Sequence, residues 1–266
     1  MSRSYSLAYL TSYSCTPPEA IRVASQAGYD FVGMRLWPNA AGSPQQFLID
    51  KPDVLRETLA AQKDTGVGVF DIEIIRMGVD FDPAVYRPLL DVGAALGARA
   101  ALVAGDDLDE SRLVESYARL CEFMQPYGIT ADLEFMPWTT VKTAKDAMRV
   151  IQQAGSPNNA GILVDALHFG RSHTTLTDIQ AIPRKLLHYA QICDAEAGTH
   201  FTTEQLIFSA REERLLPGQG NIDVHGLFEV LPSDLPISVE VVHKPRMAQM
   251  NAFEWARLCL RASLAI

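Results

Sequence analysis

Apolar, β-branched runs alternate with amphipathic segments along the chain, and a glycine repeatedly stands where an amphipathic segment ends. Gly28, Gly66, Gly97, Gly128 and Gly155 each close a helix-like pattern and precede an apolar run. Glycine is the usual residue after a helix C-terminus because it enters the left-handed region without a Cβ clash. These junctions are 27 to 38 residues apart, a spacing that is typical of successive βα units.

The alternation predicts eight strands, at residues 5–10, 30–36, 67–74, 100–103, 129–135, 161–165, 187–193 and 237–242. The helical period of apolar residues predicts helices between them, at 17–27, 52–64, 83–96, 113–124, 141–153, 176–181, 224–231 and 252–264. The first helix has a capping box at its start, formed by Thr16 and Glu19. Residues 194–216 are predicted to form a long irregular loop.

Eight apolar strands alternating with helices, without a linker, predict a single (β/α)8 TIM barrel domain over residues 1–266. The length also suits this fold, which typically needs roughly 250 residues. The alternative is an open doubly wound sheet, but no glycine-rich phosphate loop follows the first strand. Pro217-Gly218-Gln219-Gly220 is interpreted as a turn before a helix rather than as an anion site.

Composition narrows the class of protein further. Hydrophobic residues make up 48% of the 266 residues and charged residues 21%, which excludes a disordered chain. No run of about 18 apolar residues predicts a membrane span, and no leader-like apolar region follows the N-terminus. A net charge of −9 disfavours nucleic acid as a partner. The four cysteines form no C-x-x-C pair, which is typical of reduced thiols and predicts a cytoplasmic protein.

Polar side chains interrupt the ends of five predicted strands. They are Asp71 and Glu73, Asp132 and Glu134, Asp165, Gln191 and Asp194, and Glu240. Active sites of barrels lie at the C-terminal ends of the strands, so these groups are expected to meet at one mouth. Several carboxylates crowded together are costly unless a cation neutralises them. The simplest explanation is a bound divalent metal ion.

Glu134, Asp165, Gln191 and Glu240 would offer four oxygen donors from four consecutive strands. An all-oxygen set favours a hard cation, Mg²⁺ or Mn²⁺, over zinc. Asp194 has the opposite strand parity to Gln191, so we expect it to orient its neighbours rather than to bind the metal.

Several segments, in this order, resemble the xylose-isomerase-like barrel family, which includes sugar phosphate isomerases and epimerases. They are Leu133-Glu134-Phe135, Val164-Asp165-Ala166-Leu167-His168, Cys193-Asp194, Arg214-Leu215-Leu216-Pro217-Gly218-Gln219-Gly220 and Val239-Glu240-Val241. The resemblance covers nearly the whole chain. It implies the same barrel fold and a small polyol or keto-sugar substrate, but it does not identify that substrate.

By this resemblance, Glu134, Asp165 and Glu240 match metal-binding carboxylates, and Glu134 and Glu240 also match the pair that moves protons on opposite faces of the substrate. The metal would polarise a carbonyl and stabilise an enediolate between the two proton transfers. Relatives usually have a histidine where this chain has Gln191, and that departure affects which metal is bound and how tightly.

Three further residues are predicted to contact the substrate. His168 resembles a family residue that hydrogen-bonds a substrate oxygen. Arg214 is a candidate to hold a hydroxyl, carboxylate or phosphate group, with Arg211 as its competitor. Glu73 is a candidate extra acid or base, with a rim ion pair as the alternative.

The sequence therefore predicts a metal-dependent isomerase or epimerase of a small sugar, keto-sugar or sugar phosphate. The alternative is a dehydratase of a cyclic keto-polyol or 3-dehydroshikimate-like acid, which would use the same site. A DNA-repair enzyme of this superfamily would need a histidine-rich zinc site, and the chain has only six histidines. A metabolite-binding barrel without turnover stays open because of Gln191. Association into a homo-oligomer through the helical face is expected by analogy.

Overall fold

The computed structural model describes residues 3–40, 42, 45–46, 48–198 and 200–266. Its centre is a closed barrel of eight parallel strands, in which each strand pairs with the next in sequence and the last pairs with the first. Helices surround the barrel. The predicted (β/α)8 TIM barrel is confirmed.

The strands are shorter or longer than predicted at several ends, but all eight are present. They are β1 (Tyr5–Leu7), β2 (Phe31–Arg35), β3 (Gly68–Met77), β4 (Ala100–Gly105), β5 (Thr130–Glu134), β6 (Ala160–Asp165), β7 (Ala190–Ile192) and β8 (Ile237–Val239). Strand β3 runs past the predicted end at residue 74, and its pairing with β4 shifts register between Ile72 and Ile75. This irregularity places Glu73 within the strand rather than at its end.

The helices follow the predicted order with three additions. They are α1 (Pro17–Ala27), α2 (Pro52–Thr65), α3 (Arg87–Ala95), α4 (Glu110–Met124), α5 (Ala144–Gln153), α6 (Ala166–Arg171), α7 (Leu176–Gln180), α8 (Thr203–Arg211), α9 (Val224–Val230), α10 (Lys244–Met247) and α11 (Ala252–Leu264). The prediction of an irregular loop over residues 194–216 is wrong where α8 forms. Thr202 caps this helix and forms a capping box with Gln205, a signal that the apolar period alone does not show.

The predicted helix ends are confirmed by backbone geometry. The capping box of Thr16 and Glu19 is formed at the start of α1. Each of the five glycines at the predicted junctions has a positive φ, from 68° at Gly128 to 97° at Gly28. A residue with a Cβ is strained in that conformation. No helix in the described segments combines the length and the apolar character needed to cross a bilayer.

Buried apolar residues form two layers, one between the barrel and its helices and a smaller one inside the barrel. Strand β4 shows the division, since Ala101 and Val103 belong to the outer layer while Ala100, Leu102 and Ala104 belong to the inner one. This is the alternation that a strand imposes on its side chains. The small alanines leave the inside of the barrel open to polar groups from neighbouring strands.

Two buried acids on the inner side of the barrel are accommodated by glycines on neighbouring strands. Asp132 is fully buried, and its Oδ1 lies 2.7 Å from Nδ1 of His188. A Cβ at Gly161, opposite Asp132 in β6, would lie 2.2 Å from that oxygen and 2.4 Å from the histidine nitrogen. Gly33 likewise faces Asp71, whose carboxylate oxygens would lie 2.8 and 2.9 Å from an added Cβ. The glycines therefore make room for charge inside the barrel.

We expect Gly161→Ala to destabilise the protein by about 3 kcal/mol, because the new methyl group must displace the Asp132–His188 pair. Gly78→Ala is the matched control, since an added Cβ there meets nothing within 4 Å and φ is not positive. Its effect should stay within about 0.5 kcal/mol. Urea unfolding of the three proteins measures both values, and equal stability of the two variants would contradict this account of Gly161.

The pair also predicts a pH dependence. Burial opposes protonation of His188, but the hydrogen bond and charge of Asp132 raise its pKa above the usual value. A raised pKa in the folded state stabilises the protein below the unfolded pKa, and the effect is lost as pH rises through the folded pKa. The stability lost in His188→Gln, measured by urea unfolding, should therefore be larger at pH 6 than at pH 9. His225→Gln, on the exposed surface, is the control and should show no such trend.

Candidate active site and metal centre

Four predicted site residues come together at the C-terminal mouth of the barrel. Glu134 ends β5, Asp165 ends β6, Gln191 lies in β7, and Glu240 directly follows β8. All four are buried, with at most 3% of any of these residues exposed. Parallel strands of a closed barrel bring their C-terminal ends to one face, so residues more than 100 positions apart in sequence converge here.

A compact set of possible metal donors lies at the centre of this mouth. One ligand atom from each of Glu134, Asp165 and His168 lies within 4.8 Å of the others. Nε2 of His168 is 3.6 Å from Glu134 Oε1 and 3.8 Å from Asp165 Oδ2. His168, predicted to contact substrate, is thus also placed as a potential donor.

Helix α6 is what holds His168 beside the two acids. Asp165 is the residue that caps this short helix, and its Oδ1 accepts a 2.6 Å hydrogen bond from the backbone N–H of Leu167. His168 follows one turn later, so the cap and the turn fix its distance from Asp165. The ring of Trp138 meets the His168 ring edge-on, with 4.9 Å between centroids, which limits the orientations available to the imidazole.

The residues present fit a divalent metal ion. Two carboxylates and an imidazole suit such a cation, and Gln191 adds a buried amide oxygen that has no hydrogen-bond partner among the described residues. An unpaired buried acceptor is costly, and a cation would satisfy it. The donor chemistry does not choose among Mg²⁺, Mn²⁺ and Zn²⁺ once His168 is counted with the oxygens.

Glu240, which the sequence predicts as a fourth donor, forms an ion pair with an arginine, and its metal-binding role stays a prediction. Arg214 is 3% exposed and forms ion pairs with Asp165 at 2.7 Å and with Glu240 at 2.8 Å. Its Nε also donates to the backbone oxygen of Ala210 at 3.0 Å. The predicted role of Arg214 was substrate contact, and the structure places its charge between two acids of the site. Arg214 lines the cavity, but each nitrogen of its guanidinium group already contacts an acceptor of the protein.

The backbone around Arg214 explains its position. Glu213 forms an isolated β-bridge with His243, and Leu215 forms one with Asp194. The Arg214 segment therefore lies between the stretches of chain that follow β7 and β8. The Asp194 carboxylate in turn accepts backbone hydrogen bonds from Ala195, Gly218, Gly220 and Ile222. As expected, Asp194 orients its neighbours, and the Pro217–Gly220 segment folds as a turn around it.

Glu73 lies on the other side of the mouth in an ion pair. Its Oε2 is 2.7 Å from Nη2 of Arg35, and the Arg35 guanidinium also lies over the Tyr9 ring at 4.5 Å. Both Glu73 and Arg35 line the cavity. The ion-pair alternative is therefore observed, and the role of Glu73 as an extra acid or base stays a prediction.

Burial and nearby charges shift the pKa values of the acids in this site. Burial, with the nearby Asp165 and Glu240 charges, raises the pKa of Glu134 well above its usual value. Burial raises the pKa of Glu240 to about 8, although Arg214 opposes the shift. Burial also acts on Asp165, but the Arg214 charge keeps its pKa below the usual value. Burial lowers the pKa of His168 to about 4, so its imidazole is neutral and able to donate a lone pair.

Two adjacent cavities lie at the mouth among the described residues. The inner chamber, about 40 Å³, is lined by Glu73, Glu134, Glu240, His168 and Arg214 among others. The outer chamber, about 240 Å³, is lined by Tyr9, Tyr13, Lys244 and further residues. Leu10, Arg35, Asn39 and Arg211 line both, so the two chambers are adjacent. The space suits a small polar molecule with one end among the carboxylates.

Comparison with known proteins agrees with this architecture. The family model described as xylose isomerase-like TIM barrel matches residues 21–261. The chain belongs to this family. The resemblance noted from the sequence motifs is thereby confirmed.

A curated relative is the inosose isomerase of Bacillus licheniformis, which is 27% identical over 159 residues. The match covers 58% of this chain and 54% of that protein, so it spans about half the length of the relative. Among solved structures, the IolI protein with a bound zinc atom superposes with a TM-score of 0.75 at 18% identity, covering 98% of this chain and 97% of that one. The probable 3-DHS dehydratase AsbF of Bacillus anthracis gives 0.76 at 13% identity, covering 98% of each. At these identities the two structures show the shared fold.

Some residues of the cavity were not predicted as site residues. Arg76 and Asn39 line the inner chamber, and Arg76 was missed because the predicted strand stopped two residues before it. The register shift in β3 interrupts the alternating pattern. For this reason the pattern does not predict the last residues of β3 that pair with β4. The apolar residues Ile75 and Met77 on either side of Arg76 were the available signal that the strand continues.

We expect Arg214→Gln to lower stability by about 3 to 5 kcal/mol when divalent metal is removed with a chelator, because two buried acids lose their shared cation. Added Mn²⁺ or Mg²⁺ should recover part of the loss, since a metal ion would replace that charge. Urea unfolding with and without metal measures both effects. Arg119→Gln, at an exposed position, is the control. A variant as stable as the parent in chelator would refute the countercharge role.

Proposed function

We propose that this protein is a divalent-metal-dependent isomerase or epimerase of a small sugar, keto-sugar or sugar phosphate. The observation that carries the proposal is the pair of buried glutamates, Glu134 and Glu240, that line one chamber with pKa values raised by burial. Membership of the family and the likeness to inosose isomerase support the reaction class.

Glu134 and Asp165 would hold the metal, with Gln191 or His168 completing the set. A divalent cation bound there would polarise a substrate carbonyl and make the adjacent C–H more acidic. The barrel supplies the rest of the environment. The donors are almost completely excluded from water, and in such surroundings charge interactions are stronger than in bulk solvent.

The two glutamates are suited to moving protons. One carboxylate removes the proton from the carbon beside the carbonyl, and the C–H electron pair shifts toward the carbonyl oxygen. The other carboxyl group, protonated at the start, returns a proton to the substrate. A raised pKa makes a carboxylate a stronger base and lets its acid form persist near neutral pH. Arg214 positions Glu240 and Arg35 positions Glu73, each at less than 3 Å.

A dehydratase of a cyclic keto-polyol or 3-dehydroshikimate-like acid is the second candidate. It begins with the same proton removal, but a hydroxyl group then leaves from the next carbon as water, after accepting the proton of the second carboxyl group, and a C=C bond remains. The observation that favours it is the set of arginines around the chambers, Arg35, Arg76 and Arg211, which could receive a carboxylate. The fold of AsbF is shared.

Glu134→Gln and Glu240→Gln should each lower turnover at least about 100-fold, because a proton-transfer group contributes 10²–10⁴ to the rate. Exposed Glu229→Gln is the control and should be unchanged. The assay is proton NMR in D2O with inososes, ketohexoses and 3-dehydroshikimate. Deuterium at the carbon beside the carbonyl with an isomeric product supports isomerisation, and a new alkene signal supports dehydration. Full activity of either variant would remove that residue from the mechanism.

Metal dependence has its own test. The melting temperature should rise with Mn²⁺, Mg²⁺ or Zn²⁺, because a ligand of the native state stabilises it by mass action, and Asp165→Asn should weaken that rise. No response of the parent protein to any of these ions, with no metal found in the purified protein by elemental analysis, would contradict the metal centre.

A further inference from the structure

Five basic side chains surround the two chambers of a protein whose net charge is −9. They are Arg35, Arg76, Arg211, Arg214 and Lys244. Acidic side chains line the same chambers, namely Glu73, Glu134, Glu240 and Glu212, so a cation attracts a bound anion there only where no acid of the protein already neutralises it. The acidic partner of each basic side chain therefore decides where an anion could bind.

Four of these cations already have acidic partners. Arg35 pairs with Glu73 at 2.7 Å, and Arg214 pairs with Asp165 and Glu240. The other two pairs are farther out, where Arg76 binds Asp106 at 2.6 Å and Lys244 binds Glu212 at 2.6 Å. Arg76 donates in addition to Asn39 at 2.8 Å. The charges of these four side chains are compensated within the protein.

Arg211 differs from the other four. Its guanidinium makes no hydrogen bond or ion pair with any residue that the structure describes, although it lines both chambers and is only partly exposed. It is the last residue of α8, at the entrance to the inner chamber. Burial, together with the nearby charges of Arg76 and Arg35, lowers the pKa of Arg211, although the charges of Asp106 and Glu212 oppose the shift. A cation placed against other cations without a partner is stabilised when an anion binds.

We propose that Arg211 binds an oxyanion group of the substrate, a carboxylate or a phosphate, and so determines specificity for acidic over neutral sugars. The proposal rests on the proposed function for the reaction itself, but the binding preference does not require turnover. It assigns the reacting end of the substrate to the inner chamber of Glu134 and Glu240. The acidic group then lies in the outer chamber, whose 240 Å³ accommodates it.

Arginine is suited to this role because its planar fork can donate two parallel hydrogen bonds to a carboxylate or a phosphate. Arg214 cannot take the same role without releasing Asp165 or Glu240, which would leave a buried acid unpaired. The Arg35 charge is paired with Glu73 through Nη2, although the buried Nε of Arg35 has no hydrogen-bond partner among the described residues. Between the two arginines that the sequence left as competitors, Arg211 is the one with its donors available.

Calorimetric titration with three sugars that differ only at carbon six tests the proposal. The sugars are D-glucose, D-glucuronate and D-glucose 6-phosphate, and the protein is used as purified. At least one acid should bind about tenfold or more tightly than D-glucose, as expected of a charge-assisted hydrogen bond. Arg211→Gln should abolish the preference, Arg211→Lys should retain part of it, and Arg119→Gln should leave it intact. Which acid is preferred distinguishes carboxylate from phosphate.

Arginine labelling with phenylglyoxal gives a second measurement that needs no sugar. Arg211 should react faster than the paired Arg35, Arg76 and Arg214, and inorganic phosphate should slow its labelling but not that of exposed Arg119, as read by peptide mass spectrometry. Equal affinity for all three sugars, no binding of either acid, a preference that survives Arg211→Gln, or labelling of Arg211 that phosphate does not slow would each overturn the proposal.

Failure of the proposed function has a different signature. If no isomerisation or dehydration is detected but acids still bind through Arg211, the anion site stands and the catalytic assignment falls. If Glu134→Gln and Glu240→Gln abolish turnover of a neutral sugar while Arg211→Gln does not alter affinity for acids, the reverse holds. Circular dichroism of each variant confirms that the barrel is intact.

Discussion

Concentrating negative charge at the mouth of a barrel requires compensating positive charge, and the site is arranged around that requirement. Glu73, Glu134, Asp165 and Glu240 are all nearly excluded from water. Arg214 compensates two of them and Arg35 a third, which leaves Glu134, beside His168, as the acid of this set without an arginine partner among the described residues. An unpaired buried carboxylate is costly or becomes protonated. The same crowding that needs a metal also raises the pKa values that proton transfer uses.

Backbone geometry makes this crowding feasible. Glycines opposite Asp71 and Asp132 leave room for acids that a methyl group would displace. The cap of α6 holds His168 next to Asp165, and two isolated bridges fix the segment of Arg214 between the ends of β7 and β8. Each of these features is a local constraint, and together they limit where the charged side chains can lie. A site built on strand ends and short capped turns keeps its geometry without relying on long loops.

Our proposals assign different roles to the two chambers at the mouth. Under our proposals, the acids of the inner chamber remove and return protons, and Arg211, which lines both chambers, selects the substrate. Such a division lets the reacting carbon and a recognition group be bound by different residues. Binding of a remote group can then orient the reacting end, which is how substrate contacts away from the chemistry contribute to rate.

The sequence by itself determined the barrel, the positions of its helix-ending glycines and the acids at its strand ends. These features depend on local period, on φ preferences and on parallel strands ending at one face, all of which can be deduced from neighbouring residues. Tertiary structure alone decided which charges meet. Arg214 is 49 residues from Asp165 and His188 is 56 from Asp132. Helix α8 and the extension of β3 were missed, and with them the contrast between the buried, paired Arg214 and Arg211, which has no partner among the described residues. Pairing of charges depends on distances across the barrel, and no local pattern encodes those distances.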